Sequence, residues 1–330
     1  MILPDYPFRV EFEVNSSCNL KCKYCYAMPF MHFTPTFERL EFLFNKTMQE
    51  ANPFEVVLVG GEPFMRQDFV EVLESATRIF GGTIGTSTNG TLLSKLPEDK
   101  LERLRVLAEG KVSLQVSLDS VVAEVNEKTR GCTTEVLAGL DALERHNVKF
   151  SVGIVLTTAN AETVLGTAEY LLMRYSALSR INLEPLRPTF ILGREYLGLK
   201  LDGEQMRSLY HGAKQLAAET NRADVKVEGV VEDCENSGKD KLLLDSYGLK
   251  PCYAGLLRAG VFSDGGVTPC LALRTARIGN LYEESWKEIW GRAKEGFGKV
   301  NMAGGQCAVN VLLRHGAPAT AGHRLKVLSC

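Results

Sequence analysis

The sequence predicts an α/β fold, in which a partial (β/α)6 TIM barrel is followed by a small C-terminal α+β module. Between about residues 6 and 185, six short apolar segments alternate with longer amphipathic segments, which is typical of βαβ units and a parallel sheet. Six units fit a partial barrel better than a closed barrel of eight. From residue 252 the pattern changes to short strands around a turn, which indicates a second, smaller unit.

The six predicted strands are apolar or alternating runs bounded by glycine, proline and asparagine. The first run alternates apolar and polar residues, and the second ends abruptly at Gly60-Gly61-Glu62-Pro63. The strands are predicted at Phe8–Val14, Glu55–Val59, Thr83–Ser87, Val112–Leu118, Val148–Leu156 and Arg180–Leu183.

Helices are predicted after the strands, where apolar residues recur every three or four positions. Asp202 is the expected N-cap of the sixth helix, because an aspartate side chain accepts hydrogen bonds from the first backbone N–H groups. The helices are predicted at Phe37–Glu50, Phe69–Phe80, Leu101–Ala108, Thr134–His146, Glu162–Tyr175 and Asp202–Thr220.

Three segments make up the predicted domain organisation. Residues 1–231 form the barrel domain, with its core at about 6–185 and a connecting helix after it. Residues 232–251 are polar and irregular and are interpreted as a linker. Residues 252–330 form the C-terminal module.

Within that module, two short strands are predicted around a turn. The strands, at Leu256–Phe262 and Val267–Leu271, flank Ser263-Asp264-Gly265-Gly266, a pattern that favours a β-hairpin. A short helix is predicted at Ser285–Arg292, and the spacing of Trp286 and Trp290 places both rings on one face of it.

Composition excludes some classes of partner and favours metal chemistry. The chain has 330 residues, a formal net charge of −2 and a pI of about 6.3, which gives no electrostatic basis for binding nucleic acid or an anionic membrane. No stretch approaches the roughly 20 apolar residues that span a bilayer, and the N-terminus does not resemble a secretory signal. A cytoplasmic location is expected. Nine cysteines in a reducing compartment favour metal binding over disulfides.

Cys18, Cys22 and Cys25 place three thiols within one predicted loop, in a CxxxCxxC pattern. Three thiolates bind three corners of a four-iron cube and leave the fourth iron open to another ligand. A structural zinc ion normally needs a fourth Cys or His nearby, and His32 is a candidate. The loop alone therefore predicts a [4Fe–4S] cluster and leaves zinc as the alternative.

Further motifs follow the cysteine loop in a fixed order. They are Gly60-Gly61-Glu62-Pro63 after the second strand, Thr88-Asn89-Gly90 after the third, Ser117-Leu118-Asp119 after the fourth and Arg130-Gly131 before the next helix. With the cysteine loop directly after the first strand, this set resembles the radical SAM superfamily over roughly residues 6 to 185. Any single motif is weak, but five in order are specific.

The resemblance implies that S-adenosylmethionine binds the open iron and is reductively cleaved to a 5′-deoxyadenosyl radical, which takes a hydrogen atom from substrate. It implies that Gly60, Gly61 and Glu62 contact the methionine amino group, that Pro63 belongs to the same S-adenosylmethionine-binding turn, and that Arg130 pairs with the methionine carboxylate. The remaining candidates for S-adenosylmethionine binding lie at strand ends or beside the adenine: Tyr24, Asn89, Ser117, Asp119 and Ile154, with Ser117 or Asp119 on the ribose.

Each of these residues also has a purely structural interpretation. In this interpretation, Gly60 to Pro63 form a plain strand-ending turn, and Asp119 caps a helix. Arg130 is then a solvated surface charge, and Tyr24 is then a side chain that packs in the core.

The C-terminal cysteines resemble the start of a SPASM or twitch module, a small unit that holds auxiliary iron–sulfur clusters. Cys252 and Cys270 flank the predicted hairpin, and Gly265 precedes Cys270 by five positions. The full SPASM run of further cysteines is missing, because Cys307 is followed only by Cys330. These four thiols suffice for one auxiliary [4Fe–4S] cluster, so the smaller twitch type is predicted. A degenerate module with buried, inert cysteines is the alternative.

Two cysteines, Cys132 and Cys234, remain outside both sets. Most such cysteines are small buried hydrophobic residues. The alternative for Cys234, which lies in the linker, is a hydrogen-atom donor to a substrate radical, as in radical epimerases of this superfamily.

The resemblance implies epimerisation, dehydrogenation or crosslinking of a peptide, or of a small molecule such as a carbohydrate or an aminoglycoside. The chain begins at the first strand without an extra N-terminal domain, which shifts the expectation towards a small molecule or a short peptide. An external electron donor of flavodoxin or ferredoxin type is expected. Candidate substrate-facing residues are Glu184, Arg187, Tyr196 and Glu228. A non-catalytic iron–sulfur or zinc protein and a radical methyl-transfer enzyme are the alternatives.

Overall fold

The computed structural model describes residues 5–27, 33–186, 198–222, 226–229, 255, 257–293 and 295. One twisted sheet of ten strands organises these residues. Its strands are β1 Arg9–Asn15, β2 Glu55–Gly60, β3 Thr83–Thr88, β4 Val112–Ser117, β5 Phe150–Leu156, β6 Leu178–Pro185, β7 Lys226–Gly229, β8 Arg258–Val261, β9 Gly266–Thr268 and β10 Gly279–Asn280.

Helices connect the parallel strands and cover one face of the sheet. They are α1 Phe37–Ala51, α2 Phe69–Ile79, α3 Glu98–Glu109, α4 Ala123–Asn126, α5 Thr133–Arg145, α6 Val164–Arg174, α7 Gly203–Glu219 and, in the C-terminal module, α8 Trp286–Ala293. The six predicted strand–helix units are confirmed, with boundaries shifted by at most a few residues. Asp202 caps α7 as predicted, since its side chain accepts a 2.7 Å bond from the Gln205 backbone.

The two faces of β1 show how the sequence pattern sets the layers. Val10, Phe12 and Val14 are buried in the apolar core between the sheet and the helices. Glu11 and Glu13 alternate with them and therefore point to the opposite, interior face of the sheet. β2 places Val57 and Val59 beside Glu11 and Glu13 on this interior face, so the face carries both polar and apolar side chains.

The parallel sheet is longer than six strands, in the order β10-β9-β8-β1-β2-β3-β4-β5-β6-β7. β7 adds a seventh parallel strand beside β6, in a stretch where no strand is predicted. Its sequence, Lys226-Val227-Glu228-Gly229, is too short for a periodic signal. The predicted linker at 232–251 lies outside the described residues, so the domain boundary stays a prediction.

The C-terminal module shares a sheet with the barrel. The predicted hairpin is present as β8 and β9, but β8 also pairs in parallel with β1, with Arg9 opposite Arg258. Gly265 adopts a φ of +82° at the turn, a conformation that glycine accepts without strain. The module is therefore an extension of the edge of the barrel sheet.

Helix α8 attaches the module to the barrel at a second place. Trp286 and Trp290 are both fully buried, which confirms that they share one face. The indole N–H of Trp286 donates a 3.0 Å bond to Thr47 on α1, and its backbone N–H donates to Glu50 at 2.8 Å. The tryptophan face thus packs on the first helix of the barrel. Among the described residues, no helix is long and apolar enough to cross a membrane.

A buried ion pair provides the third attachment. Arg274, in the segment after β9, donates to the Glu13 carboxylate on β1, and both side chains are almost fully buried. Burial raises the pKa of Glu13, although the Arg274 guanidinium opposes the rise. The Arg274 guanidinium also lies 4.5 Å from the centre of the Phe262 ring. This pair joins residues that are 261 positions apart.

We expect Arg274→Ala to lower the free energy of unfolding by about 3–5 kcal/mol, because it leaves the buried Glu13 without its cation. Urea unfolding of the purified chain measures this change. Arg78→Ala is the matched control, because the Arg78 side chain is 69% exposed in its pair with Glu41 and such pairs contribute less than about 1 kcal/mol. Equal losses in the two variants would contradict the assignment of Arg274 as the attachment.

Candidate functional site

The three cysteines of the predicted cluster loop follow β1 at the carboxyl end of the sheet. Cys18, Cys22 and Cys25 are each partly buried. The loop is fixed by a bond from the Cys25 backbone N–H to the Cys22 carbonyl at 3.1 Å and by one from the Lys23 N–H to the Thr129 carbonyl at 3.0 Å. The second bond attaches the loop to the segment after α4.

The environment of Cys18 and Cys22 holds their thiols in the protonated form until a metal binds. Among the described residues, no three Cys, His, Asp or Glu side chains gather closely enough to hold one metal ion. Burial raises the pKa of Cys18 and raises the pKa of Cys22 to about 11, and the neighbouring thiols add to both rises. Iron would therefore displace protons as it binds.

Gly60 and Gly61 lie directly against the start of the cluster loop. A Cβ on Gly60 would come within 2.3 Å of the Asn15 carbonyl oxygen, and one on Gly61 within 2.1 Å of the Ser17 carbonyl oxygen. Backbone bonds from Gly61 to Asn15, at 3.0 Å, and from Glu62 to Ser17, at 2.7 Å, fix this contact. The close approach that requires glycine here is therefore to the chain itself at the base of the cluster loop.

The carboxylate of Glu62 is buried and holds two strand ends together. It accepts bonds from the Phe64 N–H at 3.0 Å, the Thr88 hydroxyl at 2.6 Å and the Asn89 N–H at 2.6 Å. Burial raises the pKa of Glu62 to about 6, although these three bonds favour the charged form. Pro63 follows as the first residue of a 3₁₀ turn that Glu62 caps. Glu62 therefore shapes the turn after β2 and the end of β3.

Asn89 extends this arrangement to the cysteines. Its side-chain N–H group lies 3.9 Å from the Cys18 sulfur and donates to the Asn19 side chain at 2.9 Å. Its carbonyl oxygen accepts from the Thr91 backbone and hydroxyl, and Thr91 in turn accepts a bond from Asn19 at 2.8 Å. The predicted site residue at the end of β3 is thus part of the support of the cluster loop.

Asp119, which is fully buried, brings together two further predicted site residues. One carboxylate oxygen accepts from the Arg130 guanidinium at 2.9 Å and from the Val155 N–H at 3.0 Å, and the other accepts from the Tyr24 hydroxyl. The Arg130 guanidinium lies 5.2 Å from the centre of the Tyr24 ring. Burial opposes the charge on Arg130, but Asp119 and its neighbours raise the pKa of Arg130 above its usual value.

Two asparagines that the sequence analysis does not single out fix Asp119. Asn126 accepts a bond from the Asp119 N–H at 3.1 Å and donates to the Gly131 carbonyl at 2.9 Å. Asn160 donates to the Asp119 carbonyl at 3.0 Å. Gly131 has a φ of +86°, so the turn that follows Arg130 requires glycine. Asn126 therefore couples the position of Asp119 to that of Arg130.

Strands β4 and β6 carry polar side chains on the interior face of the barrel. Gln115 on β4 donates to the Glu184 carboxylate at 3.1 Å and accepts a bond from Asn182 at 2.5 Å, both on β6. The Gln115 side chain crosses β5 at Gly153, where a Cβ would come within 2.4 Å of its nitrogen. We call Gln115, Asn182 and Glu184 the interior amide platform. Within the described residues, Glu184 forms no ion pair.

The other predicted strand-end residues have different environments. Ser117 is partly exposed at the end of β4, two positions before Asp119. The Ile154 side chain is fully buried in the core, and its neighbour Val155 lies on the interior face of β5. Glu228 lies on β7. The roles of these three residues towards a ligand stay predictions.

One buried acceptor atom that receives no hydrogen bond within the described residues tests whether S-adenosylmethionine fits here. The side-chain oxygen of Asn15, at the end of β1, is buried and accepts no hydrogen bond within the described residues. It lies beside Gly60, where the resemblance implies the methionine amino group, which is a donor of hydrogen bonds. Three thiols, the glycine turn, this acceptor and the Arg130 guanidinium therefore form a donor set that fits the cluster and the methionine part of the cofactor.

Comparison with known families agrees with this geometry. The model of the radical SAM superfamily matches residues 12–171, and the model of the SPASM iron–sulfur cluster-binding domain matches residues 252–307. The chain belongs to the radical SAM superfamily. It is thus a radical SAM enzyme with a C-terminal SPASM domain, and the alternative of a non-catalytic iron–sulfur or zinc protein is not supported. Cys252, Cys270 and Cys307 lie within the SPASM match, and Cys330 lies beyond it.

Three similar proteins illustrate the range of the superfamily. The chain is 27% identical to the AdoMet-dependent heme synthase of Methanosarcina barkeri over 87% of this chain and 83% of that protein. SuiB of Streptococcus suis, bound to the precursor peptide SuiA, is 16% identical with a TM-score of 0.68 over 87% of this chain and 65% of SuiB. AnSMEcpe with bound AdoMet and a Cp18Cys peptide is 19% identical with a TM-score of 0.63 over 88% of this chain and 82% of that chain. The two structures show that the fold is shared.

Several predicted residues of this radical SAM enzyme lie outside the described residues. They are His32, Arg187, Tyr196, Cys234, Cys252, Cys307 and Cys330. Cys270 is described and buried, and Cys132 lies at the start of α5, away from the cluster loop in sequence. The number of auxiliary clusters and the role of Cys234 as a hydrogen-atom donor therefore stay predictions.

We expect Gly61→Ala to prevent stable assembly of the first cluster, because a Cβ would displace the backbone at Ser17 and Cys18. Iron per chain after anaerobic reconstitution should fall by about four atoms, one cube. Gly166→Ala on α6 is the control, since a Cβ there meets no atom within 4 Å. It should keep all its iron and gain about 0.5–1 kcal/mol of stability. Full iron retention in Gly61→Ala would disprove the close-contact argument.

The buried Glu62 should make stability depend on pH in a defined direction. Because the pKa of Glu62 is about 6 in the folded chain and 4.5 when unperturbed, the folded state holds the proton more tightly. The free energy of unfolding should therefore fall as pH rises from about 4.5 to about 6 and then level off. The total change is on the order of 2 kcal/mol.

Urea unfolding of the wild type and of Glu62→Gln between pH 4.5 and 7.5 measures this dependence. Glutamine does not ionise. The difference in the free energy of unfolding between the two proteins should therefore change over this pH range by an amount on the order of 2 kcal/mol. Glu124→Gln on the exposed face of α4 is the control and should show the wild-type profile. Parallel profiles for the wild type and Glu62→Gln would rule out the proposed ionisation.

Proposed function

We propose that Cys18, Cys22 and Cys25 hold a [4Fe–4S] cluster with one open iron, and that S-adenosylmethionine binds over it at the strand ends of β1 to β5. The observation that carries this proposal is the convergence of the three thiols with Gly61, Glu62 and Asn89 through the contacts described above. When bound together, the cluster and S-adenosylmethionine supply a 5′-deoxyadenosyl radical that removes a hydrogen atom from substrate.

The protein residues then have distinct tasks. Asn15 accepts a hydrogen bond from the methionine amino group, and the turn at Gly60 and Gly61 surrounds that group. Arg130 orients the methionine carboxylate. Both carboxylate oxygens of Asp119 accept hydrogen bonds from the protein, one from Arg130 and Val155 and the other from Tyr24. We therefore assign Asp119 the task of holding Tyr24 and Arg130 in place, and we leave Ser117 as the candidate that contacts the ribose.

The interior amide platform is our candidate for the surface that faces the substrate. It lies inside the barrel near the carboxyl ends of β4 and β6, where barrel folds collect their ligand contacts. Its amide and carboxylate groups suit a substrate with several hydrogen-bonding groups. A peptide and a carbohydrate both meet this requirement. The platform is therefore compatible with a peptide substrate, such as those bound in two of the similar structures, and with a small-molecule substrate.

We further propose that the C-terminal module holds one auxiliary [4Fe–4S] cluster through Cys252, Cys270, Cys307 and Cys330, and that a donor of flavodoxin or ferredoxin type supplies the electron. The reaction is then an epimerisation, dehydrogenation or crosslinking. The barrel encloses the site and excludes water during the reaction, which prevents side reactions of reactive intermediates.

Iron content and S-adenosylmethionine cleavage test this proposal together. The anaerobically purified and reconstituted wild type should hold about eight irons per chain, and a Cys18/Cys22/Cys25→Ala variant about four. Release of 5′-deoxyadenosine under reducing conditions should be lost in the variant. Cys132→Ala is the matched control and should keep both the iron and the cleavage.

Other outcomes separate the parts of the proposal. About four irons in the wild type and none in the triple variant would mean that the C-terminal cysteines hold no cluster. Zinc in place of iron, or no cleavage by an iron-loaded wild type, would refute the assignment of the first cluster.

A further inference from the structure

Arg258 and Cys270 form a contact in the C-terminal module that the reaction at the first cluster does not need. One terminal nitrogen of the Arg258 guanidinium donates to the Cys270 sulfur at 3.2 Å. Cys270 is only 8% exposed. Its carbonyl accepts bonds from the Thr268 hydroxyl at 2.8 Å and from the Leu273 N–H at 2.9 Å, so its backbone is fixed as well.

The pairing of β8 with β1 determines where the Arg258 side chain lies. Arg258 is opposite Arg9 in the sheet, and its other terminal nitrogen lies 3.9 Å from the Glu11 carboxylate. Glu11 is itself held by Arg9 at 3.0 Å. The guanidinium is therefore positioned from the barrel strand that leads into the first cluster loop.

A neutral thiol gives no reason for such a contact. Its sulfur is a weak acceptor, and a cysteine that only fills space packs among apolar side chains. The Glu11 carboxylate, 3.9 Å away, supplies an opposite charge to the guanidinium, but it does not account for the hydrogen bond to the sulfur. A thiolate bound to iron carries negative charge and accepts charge-assisted bonds, so it matches the position of Arg258.

Strand pairing places this contact at the junction of the two units. β8, which begins with Arg258, pairs in parallel with β1 of the barrel. The Arg258 contact therefore starts from the strand of the module that adjoins the barrel.

We propose that Arg258 is a positioning residue for the auxiliary cluster: it donates a hydrogen bond to the Cys270 thiolate and raises the reduction potential of that cluster. This inference rests on the proposed auxiliary cluster. Reduction adds one electron, taken from a donor of flavodoxin or ferredoxin type that is oxidised by one electron, and no proton moves. The added negative charge is stabilised by the guanidinium, so the reduced form gains more than the oxidised form.

The test is a redox titration followed by electron paramagnetic resonance on the full chain. A Cys18/Cys22/Cys25→Ala background leaves only the auxiliary cluster, and Arg258→Gln and Arg258→Lys are made in it. Arg277→Gln is the matched control, because it removes the same charge from the same module at an exposed pair with Asp264.

At a fixed applied potential, we expect the ratio of reduced to oxidised cluster to fall at least tenfold in Arg258→Gln, which corresponds to about 59 mV for a one-electron couple. Arg258→Lys keeps the charge but has a single-point donor, so its fall should be smaller. Arg277→Gln should match the background protein. If Arg258→Gln loses its iron, a measurable fall in Arg258→Lys supports the proposal and an unchanged potential refutes it.

An unchanged potential in iron-loaded Arg258→Gln overturns the inference, and so does an equal fall in Arg277→Gln, which would indicate a general effect of net charge. Loss of iron from both Arg258 variants would make the residue merely structural. Absence of iron from the background protein would refute the auxiliary cluster itself. That failure is visible before any change at Arg258, so it is distinguishable from failure of the inference.

Discussion

The backbone contact between Gly60-Gly61 and the chain that leaves β1 is the constraint on which the site depends. A Cβ at either glycine would overlap with the carbonyl oxygen of Asn15 or Ser17. Because Ser17 directly precedes Cys18, this contact sets where the cluster loop begins. The Glu62 carboxylate links this contact to the end of β3, because it accepts a hydrogen bond from the Asn89 N–H. The two glycines therefore set the position of the cluster loop.

A second group of contacts fixes the other side of the loop. Asp119 holds Tyr24 from within the cysteine loop and Arg130 from the turn after α4. The Lys23–Thr129 backbone bond joins the same two segments. The cluster loop is thus held between strand ends β1 to β3 on one side and the β4–α4 connection on the other. The loop has no regular secondary structure of its own, but its position is defined because it is hydrogen-bonded to strand ends and to the β4–α4 connection.

The sequence predicts the parts of the fold that depend on local patterns. Periodicity gives the six strand–helix units, and Asp202 and Gly265 are recognisable from their chemistry at a helix start and a turn. It does not predict the pairing of β8 with β1 or the Glu13–Arg274 ion pair, because these join distant parts of the chain. It also misses Asn15, Asn126 and Asn160. Isolated asparagines occur in many loops, and only the folded chain shows that each satisfies a specific backbone group of the site.

Strand β1 links the two halves of the enzyme. Its carboxyl end leads into the cluster loop, while its edge pairs with β8 of the C-terminal module. Both of its interior carboxylates lie near arginines of that module: Glu13 is paired with Arg274, and Glu11, which Arg9 binds, lies 3.9 Å from Arg258. Since a buried carboxylate without its cation is costly, the barrel strand and the module stabilise each other. A displacement of the module would therefore move the charges beside Cys270 and those beside β1, the strand that leads into the loop of the first three cysteines.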